Sequence, residues 1–173
     1  MNREKRDREP ANEPLGRQPG QARRSLTSEA TADAEQAEHV GVLRNTQTGD
    51  YIIEPMARHP IGASAIFGAP VIIPAERFES EITQAILENL AKYHRQVFRE
   101  ELAPKRRSTQ EEKAFLKVHL SVSITRYPTG DIWIYPMRRN RGGHRGTGEK
   151  ITVPAAEMRE NLVSALREAL AAP

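Results

Sequence analysis

The chain has 173 residues, of which 28% are charged, 38% hydrophobic and 5% aromatic, and its formal net charge is +3. That balance suits one soluble domain with some extra chain and argues against two full domains. The absence of cysteine excludes a disulfide framework, thiol catalysis and cysteine-ligated zinc.

Residues 1 to 39 hold Pro10, Pro14 and Pro19, clustered charges and almost no large apolar side chains. Such a segment cannot bury enough surface to offset its ordering entropy, so a disordered tail is expected there and a single globular domain over 40–173. The tail carries 7 Lys+Arg against 8 Asp+Glu, which leaves 19 against 15 for the domain. A domain charge of +4 is only mildly basic, so nucleic-acid binding would have to come from a local cluster. The N-terminus MNREKRDREP has no apolar secretory core, and no apolar run approaches the roughly 20 residues of a spanning helix. A cytoplasmic protein with no membrane partner is expected.

Tyr51, Ile52 and Ile53 behind the turn Thr48-Gly49-Asp50 read as a short strand, and Val71 to Ile73 between two prolines read as a second. From Glu76 to about Leu102 the apolar residues Ile82, Ile86, Leu90, Tyr93 and Val97 step by three or four, predicting one long helix with Phe98 beside the stripe. Pro104 ends it, and Ser108 with Glu111 predicts the capped start of a short second helix. The period then changes to two. Val118, Leu120, Val122 and Ile124, followed by Pro128-Thr129-Gly130-Asp131 and then Ile132 and Ile134, predict an antiparallel hairpin. Ile151 to Val153 suggests a last strand, and Pro154 opens a helix in which Met158, Leu162, Leu166 and Leu170 repeat at four. The sum is an α/β fold of the α+β type: a mostly antiparallel sheet of about four to five strands with about three helices packed on one face.

The five histidines, His39, His59, His94, His119 and His144, are scattered without metal-ligand spacing, and no acid-base pair stands out. His94 reads as helix surface and His119 as the outward side of a strand. No catalytic residue, metal ligand or cofactor site is assigned, and an enzyme is not expected. The strongest local signal is the stretch Arg138 to Gly148, read as a basic loop whose glycines would let backbone amides approach an anion. It matches neither a Walker loop nor a dinucleotide fingerprint. Trp133 and Tyr135 on the preceding strand could stack on bases or anchor a protein interface. The candidate partner-binding residues are therefore Trp133, Tyr135, Arg138, Arg139, Arg141, His144 and Arg145. An enzyme with His144 as general base is the weakest of three readings, behind a protein binder and a nucleic-acid module that uses the same loop for phosphates.

Three stretches in order carry a resemblance: Ile66-Phe67-Gly68-Ala69-Pro70-Val71-Ile72-Ile73-Pro74, the acidic helix start Glu79-Ser80-Glu81-Ile82, and the hairpin from Ser121-Val122-Ser123 to Ile134-Tyr135-Pro136. With Arg139-Asn140, Gly142-Gly143 and the last amphipathic helix, they resemble a family of bacterial contact-dependent growth inhibition immunity proteins. The resemblance spans roughly residues 50 to 172. It implies a cytoplasmic, non-enzymatic protein that binds the C-terminal toxin domain of a large surface-delivered effector and blocks its active site. It supplies no catalytic residue.

Overall fold

The computed structural model describes residues 33–105, 107–140 and 143–171. The expected tail falls mostly outside them. Within it, 33–36 form a helical turn, Ala37 is buried, and strand β1 (Glu38–Asn45) begins directly after.

β1 is followed by β2 (Tyr51–Arg58), β3 (Ser64–Ile66), β4 (Val71–Ile73) and helix α1 (Phe78–Lys92). Helix α2 (Thr109–Val118) leads straight into β5 (His119–Arg126), and then come β6 (Ile132–Asn140), β7 (Gly143–Gly146), β8 (Ile151–Val153) and helix α3 (Met158–Ala171). All eight strands join one antiparallel sheet in the order β3-β2-β1-β5-β6-β7, with β4 beside β2 and β8 beside β6. The sheet is thus larger than the four to five strands expected. The three-residue β4 and β8 lie where the sequence predicts strands, whereas β3 and β7 escaped because their three or four residues carry too little alternation to read, and β1 lay partly in the stretch assigned to the tail. The Arg138–Lys150 segment read as a basic loop instead pairs β6 with β7, in the register Arg138 with Arg145, Arg139 with His144 and Asn140 with Gly143.

Val40, Val42, Ile53, Ile73, Val122, Ile124, Ile132 and Ile134 from one sheet face meet Ile82, Ile86, Leu90, Leu162 and Leu166 from α1 and α3 in a closed core. The period of two in the strands and of four in the helices is what places these side chains together. The helices do not all pack on that face. Glu54 alternates with the buried Ile53 and so points to the opposite face, where Arg107 and Glu112 at the start of α2 line a cleft with it. α2 starts where the sequence predicts: the Ser108 hydroxyl accepts from the Glu111 N–H, and the Glu111 carboxylate accepts from the Ser108 N–H at 2.7 Å. Those bonds hold the Glu111 carboxyl below the usual carboxylate range.

The first helix is shorter than its sequence pattern. The α-helix stops at Lys92, a short 3-10 turn covers Tyr93–Arg95, and Gln96 is extended. Tyr93 is buried, its hydroxyl within 2.8 Å of the Ser64 hydroxyl, whereas Val97 is 73% exposed and Phe98 turns to pack on His59 and Phe67. The aromatic contacts of the linker override the helical period there.

The chain is an internal duplication. Gly49-Asp50-Tyr51-Ile52-Ile53-Glu54-Pro55-Met56 recurs as Gly130-Asp131-Ile132-Trp133-Ile134-Tyr135-Pro136-Met137, and Ile73-Pro74-Ala75 recurs as Val153-Pro154-Ala155. Each unit is a hairpin, two short strands and a helix, and the two meet along β1 and β5. The equivalent residues Gly41 and Ser123 pair with each other, so a local twofold axis passes between them. The same device joins hairpin to helix in both units. Asp50 Oδ1 accepts from the Ala75 N–H at 3.3 Å and Asp131 Oδ1 from the Ala155 N–H at 3.0 Å, placing a carboxylate on a free donor at a helix start. The preceding glycines need positive φ, +83° at Gly49 and +90° at Gly130, and each sits against the alanine methyl of its helix start.

Candidate functional site

On the face away from the core, the strand register sets Glu54, Gly41, Ser123 and Tyr135 in one row across four strands. The small residues lie at the twofold axis and the large ones flank it. The next row includes His39, Thr125, Trp133 and Thr152, with His39 Nδ1 3.0 Å from the Thr125 hydroxyl. Burial, and secondarily the neighbouring His94, lower the pKa of His39.

Trp133 and Tyr135 are partly buried in an aromatic cluster. Trp133 packs on Tyr127 at 4.3 Å and on the edge of Tyr135 at 6.3 Å between ring centres, and the Lys150 ammonium lies over the Trp133 ring at 2.9 Å. Burial, helped by a hydrogen bond to Tyr127, pushes the Tyr135 hydroxyl up to about 12, so it stays a neutral donor at physiological pH. Neither ring is an open stacking platform. Trp133 lies under the Lys150 ammonium and Tyr135 packs beside it, an aromatic and cationic surface suited to protein contact.

The arginine-rich segment is a strand pair rather than a flexible cradle. Register and alternation place positions 139 and 144 in the row pattern of Tyr135 and Met137, and positions 138 and 145 on the other face. Arg138 and Arg145 are exposed and directly opposite each other in the register. Arg141 lies outside the described residues. The described candidates therefore divide between two faces of one hairpin, Trp133 and Tyr135 on one and Arg138 and Arg145 on the other.

His119 is 8% exposed, stacked on Phe115 at 3.9 Å, with Nδ1 2.8 Å from the Phe115 carbonyl oxygen. It lies on the face away from the core, as the alternation implies, but α2 covers it. His94 is exposed and bonds the Gln36 carbonyl oxygen through Nε2 at 2.7 Å. Among the described residues no three His, Asp or Glu side chains gather as a metal cluster, and no helix is long and apolar enough to cross a membrane.

Sequence reasoning missed a cleft of about 740 Å³ on the first unit, lined by Glu54, Ile66, Pro70, Phe98, Pro104 and Arg107 among others. Its wall is the irregular linker between α1 and α2, which carries no periodic signal. Burial raises the pKa of Glu54, outweighing the attraction of Arg107, while Glu112 adds to the rise.

No family model and no curated protein sequence matches the chain. Solved structures that share its fold include two that cover most of the chain. A protein of unknown function from Neisseria meningitidis superposes with a TM-score of 0.59 at 17% identity, over 79% of this chain and 94% of the other. A chain of a CdiA-CT/CdiI toxin and immunity complex from Yersinia pseudotuberculosis superposes with a TM-score of 0.56 at 13% identity, over 78% and 96%. At such identities the likeness is one of fold, covering nearly the whole of each neighbour.

Proposed function

We propose that this protein is a cytoplasmic, non-enzymatic immunity protein that binds and neutralises the toxin domain of a contact-dependent growth inhibition effector. The observation that carries the reading is the fold shared with a chain of a toxin and immunity complex, over most of both chains. The family-like order of motifs in the sequence and the aromatic and cationic β6/β7 hairpin agree with it. Affinity comes from shape and charge complementarity, with Trp133, Tyr135, Arg138, Arg139, Arg141, His144 and Arg145 as candidate contacts, and no cofactor is needed.

Co-expression with the genetically linked toxin domain tests this: growth should be rescued. Failure of rescue with a soluble, folded protein contradicts the reading. The nucleic-acid alternative draws on one specific observation, the opposed Arg138 and Arg145 at the edge of the sheet. A phosphate binder would lose affinity steeply with salt and accept many sequences, whereas an inhibitor would hold one protein tightly.

A further inference from the structure

The cleft beside Glu54 has a composition that one kind of group satisfies. Its walls at Ile66, Pro70, Phe98 and Pro104 are apolar, Glu54 brings a carboxylate into it, and Lys105, Arg107 and Glu112 line its polar side. Gly41 makes room for that carboxylate: a Cβ at position 41 would meet Glu54 Oε2 at 3.3 Å and the Met56 methyl at 3.4 Å. Among the described residues the carboxylate makes no hydrogen bond or ion pair within the usual distances, although Arg107 is in the same cleft. Arg107 is committed elsewhere. Its guanidinium lies over the Phe115 ring, 3.6 Å from the centre, and pairs with Glu112 at 3.4 Å. The direction of the Glu54 shift agrees, because desolvation exceeds what Arg107 returns.

The geometry points to the Glu54 cleft as a socket for a cationic side chain, arginine or lysine, presented by the protein partner. This deepens the immunity reading and rests on it for the identity of the partner. The match is local to Glu54: a half-buried carboxylate short of donors gains most from a guanidinium or ammonium that brings several. The apolar walls fit the methylene stem behind such a head group. The equivalent position in the second unit is Tyr135, already engaged with Tyr127, so the socket belongs to the first unit alone.

Two measurements on the full chain test the inference. In the first, N-acetyl-arginine amide and N-acetyl-lysine amide are titrated into 15N-labelled protein. Saturable shifts at Glu54, Ala65, Ile66 and Gly68, with a dissociation constant on the order of millimolar, are expected for the parent and should vanish in Glu54→Gln. Shifts that are absent, or unchanged by the substitution, overturn the socket whatever becomes of the toxin. In the second, the affinity for the linked toxin domain is measured beside the melting temperature of free protein. Glu54→Gln should weaken the complex by about tenfold or more while raising the melting temperature by roughly 2 to 4 °C. A carboxylate kept for structure alone would show the reverse, a lower melting temperature with affinity unchanged. If the parent binds toxin tightly and Glu54→Gln binds equally well, the socket fails and the immunity reading stands. If the parent does not bind toxin, that reading fails, and the amide titration decides whether the cleft takes a cation.

Discussion

Ile53, Pro55 and Met56 in β2 recur as Ile134, Pro136 and Met137 in β6, whereas two outward positions among them change, Ile52 to Trp133 and Glu54 to Tyr135. Several of the positions that repeat are ones the fold needs. Ile53 and Ile134 fill the shared core, and Gly49 and Gly130 turn the chain against the alanine of each helix start. Of the positions that differ, Tyr51 and Ile132 are both buried in the core, whereas Ile52/Trp133 and Glu54/Tyr135 face the side of the sheet away from the α1 and α3 layer. One unit has acquired a carboxylate in an apolar cleft, and the other an aromatic cluster with a cation over it. Duplication thus supplies two equivalent sites on one face, and divergence gives each a different chemistry.

The comparison is broken most severely in the core. Ile86 and Leu166 occupy equivalent helix positions and are both fully buried, so either one changed to alanine should cost about 2 to 5 kcal/mol in denaturant unfolding. A large loss in one and none in the other would mean that the units do not share a core equally. The turns come next. Gly130→Ala would force a side chain onto φ +90° and a Cβ to 2.9 Å from the Ala155 methyl, for a cost of about 1 to 3 kcal/mol. Gly49→Ala should cost less, because its nearest contact is 3.2 Å. The capping carboxylates follow: Asp131→Ala should lose about 1 kcal/mol, and Asp50→Ala less, in line with the longer hydrogen bond at Ala75.

A pH series sharpens the contrast at the diverged positions. The folded-state pKa of Glu54 lies above its unfolded value, so the fold favours the protonated acid. Its penalty is absent below the unfolded pKa, accrues as the pH rises toward the folded value, and is complete above it. Glu54→Gln should therefore raise the melting temperature at neutral pH and leave it nearly unchanged near pH 4, around the ordinary glutamate value. The smallest effect is expected at the N-terminus. Removing residues 1–32, whose composition offers little to bury, should leave the melting temperature unchanged, whereas removal through residue 39 takes away the buried Ala37 and the start of β1.

Much of the architecture was legible because burial has a period. The hairpin from Val122 to Ile134, the Ile82-Ile86-Leu90 face and the Leu162-Leu166-Leu170 face all sit in the core as their spacing predicts. The Ser108–Glu111 capping box was legible because its two hydrogen bonds need those residue types three apart. The duplication was present in the sequence but obscured by a difference in turn length, four residues between Asn45 and Asp50 and three between Tyr127 and Asp131, and by sparse identity in the helices. At the candidate site, the residue types around Trp133 and Arg138 could be picked out, but their division between two sheet faces depends on where β6 and β7 pair. The Glu54 cleft was illegible, because one carboxylate in a strand gains its meaning from a linker wall that carries no pattern.

The central claim is that this chain binds one toxin domain as a protein partner. Isothermal titration of the purified protein with its genetically linked toxin domain tests it most directly, with the Arg139→Glu, Arg141→Glu double variant alongside. The account predicts a one-to-one complex with a nanomolar or tighter dissociation constant, weakened in a double variant that keeps the parent melting temperature. If the parent shows no heat of binding, and the protein instead retains RNA in a manner that declines steeply with salt, the account is contradicted.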